Sequence, residues 1–372
     1  MRLSGLETPR LVLDAARLEA NAARLAATLA RLGAPLRLHV KTCKSWEVAR
    51  GLLGSPPGPI AVSTLKEAEE FLAHGVTDIL YAVGLAPGKL AHVQALRARG
   101  ADLKVVVDSV EAAQAVAAAG GAIPALVEID CDGHRAGVKP DDDALLVAIA
   151  RALAAGARPH GVMTHAGDSY NCRSTQAIAA MAERERAAVV AAAATLREAG
   201  FATPVVSVGS TPTATFAQSL AGVTEVRAGV FVFQDLVMAG LGVCAVEDIA
   251  ISVLATVIGH QRDKGWILTD GGWMALSRDR GTARQPVDQG YGLVCDEEGR
   301  VIGDLVVSDA NQEHGIVSRR GGGPLDVSRF PVGTRLRILP NHACATSAQH
   351  DGYHVVRGGT EVVDRWPRFG GW

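Results

Sequence analysis

Eight short runs of β-branched and aliphatic residues, each followed by a stretch of helical period, constrain this 372-residue chain more than any other feature. The predicted strands cover residues 36–40, 60–63, 79–82, 103–107, 125–129, 161–164, 205–208 and 224–226. Helical segments fall at 47–53, 65–72, 109–119, 144–155 and 178–199, after a first helix over 18–32. Gly75, Gly100 and Gly200 stand where helix C-caps are expected. Eight strands alternating with helices is the count of a parallel (β/α)8 barrel of the TIM type; doubly wound sheets usually have fewer.

After about residue 235 the rhythm changes. Strand-like runs at 249–258, 266–269, 300–307 and 334–339 are separated by Gly-rich turns with little helix, which predicts a separate, mostly-β domain. The expected organisation is a barrel over 13–240 and a β domain over 241–372, with residues 1–12 joining the latter. No internal repeat, low-complexity tract or long linker is visible.

Charge narrows the partners. The 37 basic residues balance 39 acidic ones and form no Lys/Arg-rich run, so neither nucleic acid nor an anionic membrane is an expected partner. No apolar run reaches the ~18 residues of a membrane span, and Met1-Arg2-Leu3-Ser4-Gly5 does not read as a signal peptide. The six cysteines are scattered, without disulfide-scaffold spacing; a reducing cytoplasm is the expectation.

In a barrel, working residues gather at the strand C-termini. Lys41 closes the first predicted strand, and lysine is scarce here: seven against thirty arginines. A desolvated amine in that position forms Schiff bases, although an exposed strand-end lysine is the plainer reading. Gly209-Ser210-Thr211 follows the seventh strand and Ala228-Gly229-Val230 the eighth. Small residues at strand-to-helix turns expose backbone N–H groups to an anion, and phosphate commonly binds after strands seven and eight. Asp130 through Gly137 follow the fifth strand and His165 through Tyr170 the sixth. Arg135 could hold a phenolate oxygen, and His165 or Tyr170 could contact an aromatic ring or phosphate; Asp130 pairing with Arg135, and a core role for His165, are the alternatives.

The β domain offers Asn341-His342-Ala343-Cys344. In an extended segment residues i and i+2 face one side, so His342 and Cys344 could reach one ion. Imidazole plus thiolate favours Zn²⁺ over Mg²⁺ or Ca²⁺, and two protein ligands leave positions for water and substrate. A buried cysteine beside an unrelated histidine is the competing reading.

Taken together, His39-Val40-Lys41-Thr42, Ser63-Thr64-Leu65-Lys66-Glu67-Ala68-Glu69, Gly209 through Thr213, Gly272-Trp273-Met274-Ala275 through Arg284, and Asn341 through Cys344 resemble the fold type III pyridoxal phosphate enzymes. In these an alanine-racemase-like barrel precedes a β domain. The closer likeness is to the D-serine dehydratase and D-threonine aldolase group, and it runs through most of the chain. The resemblance implies that Lys41 attaches the cofactor, Gly209–Thr211 and Ala228–Val230 hold its phosphate, Arg135 meets its phenolic oxygen, and His342 with Cys344 binds a divalent metal. Zinc is the first expectation, with Mn, Mg or Co as alternatives. It also implies a homodimer.

The expected activity is that of a dehydratase acting on a D-3-hydroxy amino acid, with D-threo-3-hydroxyaspartate or D-serine as substrate, giving a 2-oxo acid and ammonia. Aldolases of the group tend to carry Asp where Cys344 stands, so Cys344 tilts the reading toward dehydratase, and an aldolase giving glycine and an aldehyde is the alternative. An amino acid racemase or a non-catalytic cofactor carrier fits less well: the first has no evident need for His342 and Cys344, and the second is usually a lone barrel. Arg278, Arg280, Arg284 and Tyr291 could receive substrate carboxylates, or form a solvated loop.

Overall fold

The computed structural model of the protein describes residues 1–372. After β1 (Arg10–Asp14) and α1 (Ala15–Leu32) come β2 (Leu36–His39), β3 (Ile60–Val62), β4 (Asp78–Gly84), β5 (Asp102–Val107), β6 (Pro124–Ile129), β7 (Arg158–Thr164), β8 (Val205–Val208) and β9 (Glu225–Ala228). The last eight pair in parallel, each with its successor, and β9 returns to β2 to close a barrel. All eight predicted barrel strands are present.

The intervening helices are α2 (Trp46–Leu53), α3 (Leu65–Ala73), α4 (Leu90–Ala98), α5 (Val110–Ala119), α6 (Asp143–Ala154), α7 (Thr175–Glu198) and α8 (Thr211–Phe216). Side-chain oxygens of Thr64, Ser109, Asp142, Ser174 and Ser210 cap the first turns of α3, α5, α6, α7 and α8, accepting otherwise unpaired amides. Neither α4 nor α8 is bounded by the sequence pattern, although Gly100 stands at an expected C-cap. α4 fully buries only Val93 and Leu96, too little apolar surface for a periodic signal, and α8 has six residues.

Charge fills the barrel floor. Arg37 on β2 makes a two-point contact with Glu225 on β9 (2.8 and 2.7 Å), donates to the Ile60 carbonyl on β3 and pairs with Asp78 on β4 at 2.8 Å. Only an inward side chain reaches that many strands. Lys104 joins Asp78 (2.9 Å) and Asp102 (2.6 Å) at the same end. Such burial costs solvation, which the multiple hydrogen bonds offset.

The second unit is a nine-stranded sheet built on β1, β10 (Ile251–Gln261), β11 (Trp266–Thr269), β12 (Leu293–Cys295), β13 (Val301–Ala310), β14 (Gly315–Arg319), β15 (Arg335–Leu339), β16 (Gly352–Val356) and β17 (Asp364–Pro367). β10 pairs with β11 as well as with β15, so β10, β11, β14, β13, β12 and β15 run full circle. β1 adds to β10 antiparallel and to β16 in parallel. Short helices α9 (Leu236–Gly240), α10 (Trp273–Leu276) and α11 (Ala343–Ser347) sit between the strands. By contacts, one unit comprises 25–229 with 371–372, the other 1–24 with 230–370. These divisions differ from the expected 12/13 and 240/241 because the first turns of α1 and the segment after β9 pack with the β sheet. No helix is long and apolar enough to cross a membrane.

Candidate active site

Lys41 lies two residues beyond β2, in a turn closed by the Lys44 amide donating to the Val40 carbonyl at 2.8 Å. The side chain is exposed, and no ion pair involves it. Lys44 in the same turn adopts a left-handed φ of 43° and sends its amine 3.3 Å from the buried Glu67 carboxylate. Glu67 also accepts the Ser63 amide, while the Thr64 hydroxyl accepts the Glu67 amide: a reciprocal cap that fixes the start of α3. On β2 itself, the Nδ1 of His39 is buried without a hydrogen-bond partner.

Behind β7 and β8 a single carboxylate organises the turns. Glu185 on α7, fully buried, accepts the amides of Ala166 (3.1 Å) and Gly209 (3.0 Å) on one oxygen. Between those amides, His165 Nδ1 lies 2.7 Å from the Gly209 carbonyl, which makes it the donor. Burial pushes His165 down to about 3, and the positive charges of Lys41, Arg135 and Arg227 push the same way, outweighing the Gly209 hydrogen bond. The imidazole is therefore neutral at physiological pH.

Gly209 donates to Glu185 and accepts from His165, and Ser210 exchanges hydrogen bonds with Thr213 in a capping box. These bonds fix the shape of the turn that Gly209 and Ser210 form after β8. A Cβ on Gly209 would stand 2.0 Å from the Arg227 carbonyl oxygen, and one on Gly229 would stand 2.7 Å from that of His39. Glycine is required at both, and the end of β9 is thereby pressed against the strand that leads to Lys41. Arg135 pairs with Glu128 at 3.4 Å rather than with Asp130, whose carboxylate caps the amides of Asp132 and Gly133. Tyr170 is half exposed in the helical turn Gly167–Asn171. An uncommitted amine, three cations acting on His165 and two glycine-pinched strand ends suit an anionic cofactor that attaches through a carbonyl.

In the β domain the segment before α11 is held tightly. The amides of Leu236 and Val237 donate to the carbonyls of Pro340 and Asn341, and the Asn341 side chain bonds Thr282 and the Gly290 carbonyl. Asp235, fully buried, accepts the amides of Met238 and Ala343, each at 2.9 Å. His342 is extended, but Cys344 is already in the first turn of α11, where the Thr346 amide bonds the His342 carbonyl. The expected i, i+2 extended geometry is thus corrected: the Asp235–Ala343 hydrogen bond turns the chain into a helix. The two side chains nonetheless hydrogen-bond each other. His342 Nδ1 lies 2.6 Å from Asp279 Oδ2. Burial pulls His342 down, but hydrogen bonds to Asp279 and Cys344 win and raise it to about 11. No group of three His, Cys, Asp or Glu side chains converges for a metal; His342 and Cys344 are a nitrogen–sulfur pair whose chemistry would suit a soft divalent ion.

The model of the alanine racemase N-terminal domain matches residues 13–236, and that of a serine dehydratase domain matches 250–356. The chain belongs to the D-serine dehydratase and D-threonine aldolase family of pyridoxal phosphate enzymes. It is 57% identical to the D-threo-3-hydroxyaspartate dehydratase of Delftia sp. over 99% of this chain and 98% of that one. It is 31% identical to an Arthrobacter D-threonine aldolase over 98% and 92%. The solved Delftia enzyme, 56% identical, superposes with a TM-score of 0.97 over 100% of both chains, and a cysteine-to-alanine variant of it is known in a metal-free form. Members of this family are lyases that use pyridoxal phosphate, and the racemase-like barrel with a mostly-β domain is their fold.

Residues expected to meet substrate in this family member are partly engaged elsewhere. Arg278 stacks over Trp273 at 5.1 Å, whereas Arg280 lies over Tyr291 (5.3 Å) and pairs with Asp288 (2.7 Å). Tyr291 thereby forms a platform for Arg280. Arg284 is exposed in the turn Gly281–Arg284. Glu185, Asp235 and Asp279 were missed, because each acts on residues distant in sequence and carries no motif of its own.

Proposed function

We propose that this protein is a D-threo-3-hydroxyaspartate dehydratase, converting its substrate to a 2-oxo acid and ammonia with pyridoxal phosphate in the barrel and a divalent metal, zinc first, at His342 and Cys344. The observation that carries this reading is the full-length identity of 57% with the Delftia dehydratase, against 31% with the aldolase. The nitrogen–sulfur pair supports it.

Lys41 Nζ would attach the cofactor, Arg135 and Tyr170 would contact it beside the neutral His165, and Gly209–Thr211 with Ala228–Val230 would hold its phosphate. When bound, pyridoxal phosphate disperses negative charge from Cα, and the metal acts as Lewis acid on the β-hydroxyl. The Lys41 amine would take the Cα proton. Neutral His165 keeps its Nδ1–H on Gly209 and so presents Nε2 as an acceptor. His342 and Cys344 would hold the ion through imidazole nitrogen and thiolate sulfur. Water lost in the elimination is regained on hydrolysis, so the net change is release of ammonia. We also infer a homodimer, as the fold type suggests, and a cytoplasmic location, which the six free cysteines support.

Product analysis tests the reading. The purified protein, with pyridoxal phosphate and Zn²⁺ or Mn²⁺, is given D-threo-3-hydroxyaspartate, D-serine and D-threonine. Oxo acid with ammonia, fastest from the first, is expected; glycine as the product would make this an aldolase.

A further inference from the structure

We propose that Asp279 is the positioning residue of the metal centre: by accepting the Nδ1 proton of His342 it fixes the tautomer that presents Nε2 to the ion. This rests on the reading of His342 and Cys344 as ligands. The two ring nitrogens of an imidazole point in divergent directions, so a carboxylate bonded to Nδ1 stands away from an ion held at Nε2. In keeping with that, Asp279 does not join His342 and Cys344 in a converging group of three. No lysine or arginine pairs with Asp279; the 2.6 Å contact to His342 is its one side-chain partner. Neighbouring Arg278 and Arg280 are directed to Trp273 and to Tyr291 with Asp288.

The chain is built to aim this carboxylate. α10 ends at Leu276, and Ser277, a buried non-glycine residue, takes a left-handed φ of 76°. Its hydroxyl accepts the Asp279 amide at 3.0 Å, and the Gly281 amide bonds the Asp279 carboxylate. Backbone strain of that kind persists only where the surroundings impose it. Thr346 on α11 donates to the Leu276 carbonyl at 2.8 Å, and Thr282 bonds Asn341, so the Asp279 turn and the ligand turn are joined on both sides. A carboxylate behind a ligating histidine also raises the basicity of the metal-bound nitrogen.

The test is the Zn²⁺ affinity of the full-length, cofactor-loaded protein after metal stripping, read by competition with a chromophoric chelator. Asp279→Ala is expected to weaken binding by about 100-fold and Asp279→Asn, which keeps an acceptor without the charge, by about tenfold. The visible absorbance of the cofactor and the thermal midpoint of the metal-free form should not move. Wild-type affinity in Asp279→Asn, or a loss matched by a lower metal-free midpoint, overturns the proposal, and the Asn variant suffices if the Ala variant does not fold. His342→Ala and Cys344→Ala separate the two readings. If they too bind Zn²⁺ normally, the ligand assignment has failed; if they lose it while the Asp279 variants do not, only the positioning role has.

Discussion

Lys44 Nζ stands 3.3 Å from Oε1 of Glu67, an ion pair that ties the turn carrying Lys41 to the buried start of α3. Removing the amine leaves a buried carboxylate with backbone and hydroxyl partners alone. Lys44→Met is expected to cost about 1–3 kcal/mol, measured as a shift in denaturant midpoint. An unchanged midpoint would show the pair to be energetically idle.

Lys41→Ala should remove the visible absorbance of the bound cofactor, since no other lysine occupies a barrel strand end without a partner. Persistence of that band would transfer the attachment to a different residue.

Cys344→Ala should lower metal occupancy and oxo acid formation together while the cofactor stays bound, and chelation of the wild type should do the same. Full turnover in the presence of excess chelator would remove the Lewis-acid role.

Gly229→Ala forces a Cβ to within 2.7 Å of the His39 carbonyl oxygen and 3.0 Å of the Thr42 hydroxyl. Backbone cannot yield as a flexible side chain can, so β9 and β2 must part at the cofactor site. Affinity for pyridoxal phosphate, titrated by fluorescence, should fall about tenfold or more, equivalent to ~1.4 kcal/mol.

Burial raises the Glu185 carboxyl above its usual range, against the hydrogen bonds from Thr213, Gly209 and Ala166. A raised folded-state value means a contribution to stability that is full below the unfolded pKa of about 4.3 and is lost as pH rises through the folded one. Compared with Glu185→Gln, which does not titrate, the wild type should therefore lose relative stability from about pH 4 upward. A pH-independent difference between the two denaturation curves would contradict this.

The barrel was legible because its signal is local: each strand is a short apolar run and each major helix has its own stripe. β12, β14, β16 and β17 were missed because three to five residues give too few alternations, and β17 ends in Pro367. Lys41, His342 and Cys344 stood out by residue type and spacing. Asp279 did not, since its partner is 63 positions away, and the arginines around it drew attention to substrate carboxylates instead. Sequence spacing also implied an extended His342–Cys344 segment, when an aspartate 108 residues upstream decides its turn.

The charged floor made by Arg37, Glu225, Asp78 and Lys104 laces β2, β4, β5 and β9 together through side chains, joining β2 to β4 although those strands are not neighbours. Loosening the floor at one strand is therefore felt at strands that share no backbone ladder with it.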